Sequence, residues 1–499
     1  MTAFADTTPA RQDKLVSVDA IQVGKDVIEL ITSGMYVSPI TVYREYVQNA
    51  ADAIDAARLA GLLGAKTRGR VSISFDHSAR AVSIRDNGSG ISAARALPTL
   101  LAVGASPKRG SQSRGFRGVG RLAGLAYCRE LQFVTKAAGD DTVFKLTWDC
   151  RALRERLAST SFSGDLRTII ADCVSVWHER AESTQDRFFE VRLVDIARLR
   201  NDVLLNEQMV AHYLGQVAPV PFHPDFSFAR EIERHLSRYR SGLPIDLNVA
   251  EETVFRPFRD KVLFPASSHK LCVKEIEFKT FADVDGGTGA VAWIAHHEYL
   301  RSIPPTLGIR GIRARAGNLQ VGDANLFDDS FKETRFNGWT VGEVHIYDGR
   351  IVPNARRDNF ETNHHYYNVL VQLGPLALGI SQRCRLSSVS RTAEQTVRNV
   401  IAEIETTIRR ARRPDRSELS RLKSALLRAR AKTKRLTDQA LRLRLETKLD
   451  QLRNRLSKLT PRRGKSALAL DEATSLVTKL VTNRAQARQV VEALERLCR

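Results

Sequence analysis

The chain has 499 residues, 43% of them apolar and 27% charged, with a formal net charge of +21. That length allows two or three domains with a sizeable core, and outside the last hundred residues the composition is that of a globular protein. The first thirty residues hold neither a charged-then-apolar leader nor an A-x-A cleavage site, and no window approaches eighteen uninterrupted apolar residues. A secretory signal or membrane span is not expected, which points to the cytoplasm. The six cysteines (Cys128, Cys150, Cys173, Cys272, Cys384 and Cys498) are scattered without a C-x-x-C pair, as suits reduced thiols rather than a disulfide framework or zinc site. The pairs His296-His297 and His364-His365 read as structural or surface residues, because neighbours point apart on a strand and do not share a helical face.

In chain order, YREYVQNAADAIDAA (43–57) predicts a helix, with Tyr43, Val47, Ala50, Ile54 and Ala57 tracing one apolar stripe. Glu45, Asn49 and Asp52 stand four and three residues apart, so they share a second face. That face is either an ordinary solvated one or a surface for activating water and holding magnesium. Asn49 can offer magnesium its amide oxygen, and Glu45 can orient and deprotonate an attacking water. VSISFD (71–76) and AVSIRD (81–86) alternate apolar and polar residues across HSAR and predict a hairpin. DNGSG follows at once, with Asp86 at the strand end and Gly88 and Gly90 allowing a sharp turn. This is either a plain turn or the place where a buried carboxylate accepts the exocyclic amine of adenine. Residues 104–127 begin as a polar, small-residue stretch containing Lys108, a candidate phosphate contact. They continue through Gly115, Gly118, Val119 and Gly120 into an apolar helical stretch from about Leu122. Glycine-rich backbone opening into a helix N-terminus presents N–H groups to phosphates, and the polar stretch suits a mobile lid.

Strands and helices continue to about residue 385, most clearly IRGIRARAGNLQVG (309–322) and GWTVGEVHIYDGRIV (338–352). Beyond that point glycine nearly vanishes. Leu419, Leu422, Leu426 and Ala429, then Leu445, Leu449, Leu452, Leu456 and Leu459, recur at helical spacing, interrupted near Pro414 and Pro461 to Gly464. This predicts a helical arm, a coiled coil or a folded-back hairpin. Residues 401–499 hold 26 Lys and Arg against 11 Asp and Glu, so much of the excess charge sits there. Such a surface attracts polyanions, although basic helices also serve as solvated faces or partner docks.

A helix with E-x-x-x-N-x-x-D-A, then D-x-G-x-G after a strand, then G-x-x-G-x-G resembles the GHKL ATPases: gyrase B, the heat-shock chaperones, histidine kinases and MutL. GMYVSPITVYREYVQNAADAID (34–55) looks like the ninety-kilodalton heat-shock chaperones, including Arg44-Glu45, and GFRGVG (115–120) looks equally like MutL. The resemblance implies an α+β chain with three parts. A Bergerat-type α/β sandwich that binds ATP would occupy residues 1–225, an α+β transducer 226–385 and a basic helical arm 386–499. By position it makes Glu45 the general base, Asn49 the magnesium ligand and Asp86 the adenine reader. Asp52, Gly88, Gly90, Gly118 and Gly120 would shape the pocket and lid. NARRD (354–358) resembles the chaperones' middle-domain loop, making Arg357 the arginine that reaches the γ-phosphate; otherwise Arg356 and Arg357 would pair with Asp358 at the surface. FKETRFNGW (331–339) also resembles the family, without a chemical role for its residues. Where the superfamily places Gly-Thr behind the adenine, this chain has Phe188-Phe189. The expected cofactors are ATP and Mg2+, the expected assembly a homodimer. The work falls either on a protein client or, as in MutL and MORC proteins, on DNA or RNA gripped by the basic arm.

Overall fold

In the computed structural model the described residues are 38–102, 120–159, 166–239, 242–265, 268–410, 414–459 and 465–497. They form two compact units. One comprises the chain up to His297 together with Ser302–Leu378, the other Glu298–Arg301 together with the chain from Gly379 onward.

The first unit opens with α1 (Thr41–Leu59), the predicted helix. Next comes the predicted hairpin, β1 (Arg70–Asp76) and β2 (Ala81–Asp86), with Ile73 opposite Ile84. Val71, Ile73, Val82 and Ile84 are buried, so one register alone puts the apolar alternation inward. After α2 (Ala93–Leu101) the described chain resumes at a seven-residue 3-10 turn, Gly120–Ala126, and enters β3 (Cys128–Lys136) and β4 (Thr142–Asp149). The helix expected from Leu122 is therefore only this short turn. The Tyr46 hydroxyl on α1 receives the Gly124 N–H at 2.9 Å and donates to the Arg121 carbonyl at 3.2 Å. It satisfies from the side groups that a longer helix would pair internally.

α3 (Cys150–Ala158), capped by the Asp149 side chain, leads through α4 (Leu166–Cys173) to β5 (Val174–Arg180) and β6 (Phe188–Ile196). α5 (Glu207–Val217), α6 (Ala229–Leu236), β7 (Asp246–Val249) and β8 (Glu252–Thr253) follow. The eight strands form one sheet in the order β5-β4-β3-β6-β2-β1-β7-β8. Its neighbours are antiparallel except β1 and β7. β7 and β8 lie beyond residue 225, so the first sheet recruits chain that the sequence placed in the next region. Cys128 and Cys150, far apart in sequence, bring their buried sulfurs to 3.9 Å as free thiols.

β9 (Lys261–Leu263) and β10 (Lys270–Cys272) form a small ladder. β11 (Glu275–Ala282), β12 (Thr288–His296), β13 (Gly311–Ala316), β14 (Leu319–Val321) and β15 (Val341–Ile346) form a second sheet, ordered β11-β12-β15-β13-β14. Phe222, Phe226, Phe258 and Trp293 pack together in its core. Asn337, fully buried within FKETRFNGW, staples this region: its amide donates to the Ala324 carbonyl at 2.9 Å and the Asp328 carboxylate at 2.7 Å, and its oxygen accepts from Ile312 N–H at 2.9 Å. Phe331, Phe336, Asn337 and Gly338 of that motif are buried packing residues, whereas Lys332, Thr334 and Arg335 are exposed.

Beneath the second sheet lies a buried ionic hub around Glu343 on β15. Its carboxylate accepts from Arg256 at 2.8 Å, Trp293 Nε1 at 3.1 Å, the His345 ring at 3.0 Å and Arg315. Arg315 also donates to the carbonyls of Gln216 at 2.7 Å and Ala218 at 3.3 Å, and Arg256 to that of Val220 at 3.0 Å. The hub thus clamps the end of α5 onto the second sheet, meeting carbonyls that a helix C-terminus leaves open.

α7 (His364–Arg409) begins in the first unit. At its start the rings of His364 and His365 touch, with centroids 3.9 Å apart, where they had been expected to diverge. His364 and His365 are the first two residues of α7, at a helix end where side-chain directions are least regular. In the second unit α7 continues, followed by α8 (Arg416–Thr433, capped by Asp415), α9 (Gln439–Ser457, capped by Asp438), α10 (Lys465–Leu480) and α11 (Arg484–Leu497). Both leucine stripes are buried except for the half-buried Leu459, and share one cluster with Ala393, Val397 and Ile404 of α7. Among the described residues no group of three or more His, Cys, Asp or Glu is placed to hold a metal, and no helix is long and apolar enough to cross a membrane.

Candidate nucleotide site

α1 is the spine of the site. Its second face is not solvated: Glu45, Gln48 and Asp52 are 7%, 2% and 7% exposed. Burying carboxylates is costly unless they are paired. Glu45 meets Arg44 at 3.3 Å and Arg357 at 3.6 Å. A Cβ at Gly120 would stand 2.6 Å from Glu45 Oε2, so the segment re-entering after residue 119 passes directly against this carboxylate. Asn49, one turn on, is half-buried, and its amide has no hydrogen-bond partner among the described residues.

Two turns along α1, the Asp86 turn presses against the helix. Asp86 is buried, and one of its oxygens accepts from Gly88 N–H at 2.8 Å. Burial pushes its carboxyl up to about 7, opposed by the Gly88 bond and the Arg85 charge. A Cβ on Gly88 would lie 2.7 Å from the Ala53 backbone, and Ser89 N–H donates to the Ala53 carbonyl at 3.0 Å. Gly90 has φ +62, and a Cβ there would come within 2.0 Å of the Lys136 carbonyl. Only glycine tolerates both demands.

Phe189 is the register partner of Asp86 on β6, where the superfamily's Gly-Thr would fall. The Arg85 guanidinium covers the Phe188 ring at 3.6 Å. A threonine does stand nearby, one strand over: Thr135 of β3 is fully buried, receives Ile91 N–H at 2.9 Å and donates to the Phe188 carbonyl at 3.1 Å. Beside it the Lys136 ammonium is buried against the Asp186 carbonyl at 2.6 Å. Neither residue was singled out in the sequence, because one threonine or lysine in a strand carries no local signal.

Lys108, Gly115, Gly118 and Val119 lie outside the described residues. The flanks of that segment are fixed. Arg121 donates to the carbonyls of Thr99 and, at 2.6 Å, Ala102, tying the 3-10 turn to the end of α2.

The last contributor comes from the loop after β15. The Asn354 amide donates to the Asp358 carboxylate at 2.6 Å, and Asn354 N–H to the Asn359 carbonyl at 2.9 Å. Within this closed loop Arg357 adopts φ +56 and faces Glu45, while Arg44 donates to the Arg356 carbonyl at 3.1 Å. The site therefore has two stations on α1: a carboxylate ringed by two arginines and a glycine at Glu45, and a buried acid in a glycine turn at Asp86.

Residues 37–166 match the family described as "Histidine kinase-, DNA gyrase B-, and HSP90-like ATPase". The chain is 26% identical over 175 residues to the chaperone protein HtpG of Polaromonas naphthalenivorans, covering 30% of this chain and 28% of that protein. Against HtpG of Aliarcobacter butzleri it is 27% identical over 137 residues (24% and 22%), and against that of Verminephrobacter eiseniae 30% over 129 (22% and 20%). The matched stretch spans less than a third of each relative. With a mixed sheet covered by α1 and a glycine turn on a buried acid, the chain carries a GHKL-type ATPase domain and resembles the ninety-kilodalton heat-shock chaperones.

Proposed function

We propose that the chain is a magnesium-dependent ATP-binding and ATP-hydrolysing switch of the chaperone type, acting on a protein client or complex through lid closure and dimerisation. The observation that carries this reading is the approach of Arg357 to Glu45, which brings a forked cation from the loop after β15 to a buried carboxylate on α1. Asp86 would accept the adenine amine, with Gly88 and Gly90 giving the base room. Asn49, whose amide has no partner among the described residues, would hold magnesium, which supplies charge neutralisation at the phosphates. Asp52 would border that pocket. Glu45 would orient the attacking water and take its proton. Phosphate gives Arg357 a second anion to engage, so nucleotide arrival and the pose of the second sheet are linked through one guanidinium. Lys108 and the Gly115, Gly118, Val119 and Gly120 run would close over the phosphates.

Phosphate release by the full chain with Mg-ATP, alongside ADP titration calorimetry, tests this reading; absence of both binding and turnover rejects it. The Asp86 carboxyl adds a sign. Adenine's amine favours the ionised carboxylate, so binding expels the proton that Asp86 carries below about 7. ADP affinity should rise about five- to tenfold from pH 6 to pH 8, the yield of about one unit of pKa depression on binding. Asp86→Asn should lose both that slope and most of the affinity. A parent-level ADP affinity in Asp86→Asn would remove Asp86 as the adenine acceptor.

A second reading has its own observation. On and just after α8, Lys423, Arg428, Lys434 and Arg435 are exposed with no acidic partner among the described residues. Were this surface a nucleic-acid grip, affinity for duplex DNA would fall steeply with salt, and Arg428→Glu and Arg435→Glu would each flatten the log–log slope by about 1. No binding at low salt would leave the client reading alone, and retention of DNA at about 300 mM salt would mean that this basic surface is not the grip.

A further inference from the structure

Arg357 occupies a left-handed backbone conformation that a residue other than glycine adopts only under constraint. Part of the constraint is local, through Asn354. The rest comes from outside the loop. The Arg357 carbonyl accepts from Gly322 N–H at 2.8 Å, and Gly322 (φ +68) lies so close that a Cβ there would stand 3.0 Å from the Asp358 carbonyl. The Gly322 carbonyl in turn accepts from the Gln320 amide at 3.0 Å.

Gln320, on β14, is 5% exposed and uses both ends of its amide. Its oxygen accepts from Arg313 Nη1 at 2.9 Å, and the same Nη1 donates to Gln216 Oε1 at 3.1 Å. Gln216 belongs to α5, which packs against α1 and places its half-buried Tyr213 within electrostatic reach of Arg44 and Glu45. A ring is thus closed by the packing of α1 on α5 and by hydrogen bonds and an ion pair through Gln216, Arg313, Gln320, Gly322 and Arg357 back to Glu45 on α1.

We propose that Gln320 is a positioning residue for Arg357, transmitting the placement of α5 to the arginine loop. The inference rests on the reading of Arg357 as the arginine that acts on ATP. Gln320 is suited to the task because an amide both donates and accepts. It joins a guanidinium, which can only donate, to a backbone carbonyl, which can only accept. A carboxylate satisfies the first partner and repels the second; a thioether satisfies neither.

The test compares Gln320→Glu and Gln320→Met in the full chain, reading amide hydrogen exchange over residues 350–362 and, separately, kcat and nucleotide affinity. Both variants should speed exchange in that stretch at least tenfold while leaving α1 unchanged. Both should lower kcat about 10- to 100-fold, the scale of a misplaced catalytic group, with ADP affinity within twofold of the parent. In an Arg357→Ala background the kcat loss from either Gln320 change should vanish. Unchanged exchange at 350–362 overturns the proposal. So does a kcat loss that persists in full without Arg357, or a loss of ADP affinity matching the loss of kcat. Failure of the underlying reading is separable: Arg357→Ala alone would then leave turnover at the parent level, whatever the exchange data say.

Discussion

Glu45→Ala is expected to lower steady-state ATP turnover about 100- to 10,000-fold, the range for a positioned general base, while ADP binding through Asp86 survives. At about 1.36 kcal/mol per decade, this removes roughly 3–5 kcal/mol of transition-state stabilisation. The binding and chemical effects should separate because the two stations lie about two turns apart on α1. Alanine also leaves Arg44 and Arg357 facing a hole beside Gly120. Glu45→Gln is therefore the sharper variant: it keeps the volume against Gly120 and a hydrogen-bonding oxygen toward the arginines, but cannot take a proton. Phosphate release measured by a coupled assay, with ADP calorimetry on the same samples, checks both. If Glu45→Gln turns over ATP within threefold of the parent, Glu45 is not the base and the buried cluster is an interdomain ion pair only.

α1, the first hairpin and the Asp86 turn were legible because each is a local pattern. The 3.6 and 2.0 residue periods and the glycine spacing all sit within about fifteen residues of chain. The leucine stripes of α8 and α9 were legible for the same reason. The short turn at Gly120–Ala126 was not, since its length is set by the Tyr46 hydroxyl from another element. Nor was the parallel pairing of β7 with β1, which joins chain far apart in sequence. The β12 and β15 strands are buried at nearly every position, so alternation, the usual guide to a strand's inward face, is absent there. That is where Glu343 hides: GWTVGEVHIYDG reads as a strand with a polar face, yet Glu343 is fully buried. Arg357 and Glu45 were each visible as motif residues, but only the folded chain brings them to 3.6 Å.

Glu343→Ala is expected to be the most destabilising single change in the first unit. Burial alone would push the Glu343 carboxyl up, but Arg256 and Arg315 hold it well below the usual carboxylate range, with help from His345. Burial pushes His345 below its usual 6.5 despite Glu343, so its imidazole is neutral at pH 7. Burial, with Arg315 beside it, pushes Arg256 down to about 10. Removing the carboxylate thus strands two buried guanidiniums opposite each other. Breaking a buried pair in this way costs about 3–5 kcal/mol, a large share of a typical 5–15 kcal/mol of folding stability. Urea unfolding followed by tryptophan fluorescence is a direct readout, because Trp293 donates its indole N–H to Glu343. The pH dependence has a defined sign. Both the depressed Glu343 and the depressed His345 bind fewer protons folded than unfolded, so each contributes stability above its unfolded pKa and loses it as pH falls. The loss should begin near 6.5 through His345 and steepen below 4.5 through Glu343, and the Glu343→Ala chain should lack the lower limb. Replacing Arg256, Glu343 and Arg315 together with apolar residues should recover much of the single-mutant loss, because no charge is then left buried alone. It would also free the end of α5 from the second sheet. If that triple variant is as stable as the parent yet hydrolyses ATP poorly, the hub serves to fix the pose of α5, and through it the distance between Arg357 and Glu45. A Glu343→Ala loss below about 1 kcal/mol would mean that water or relaxation compensates the stranded arginines, and the clamp is not rigid.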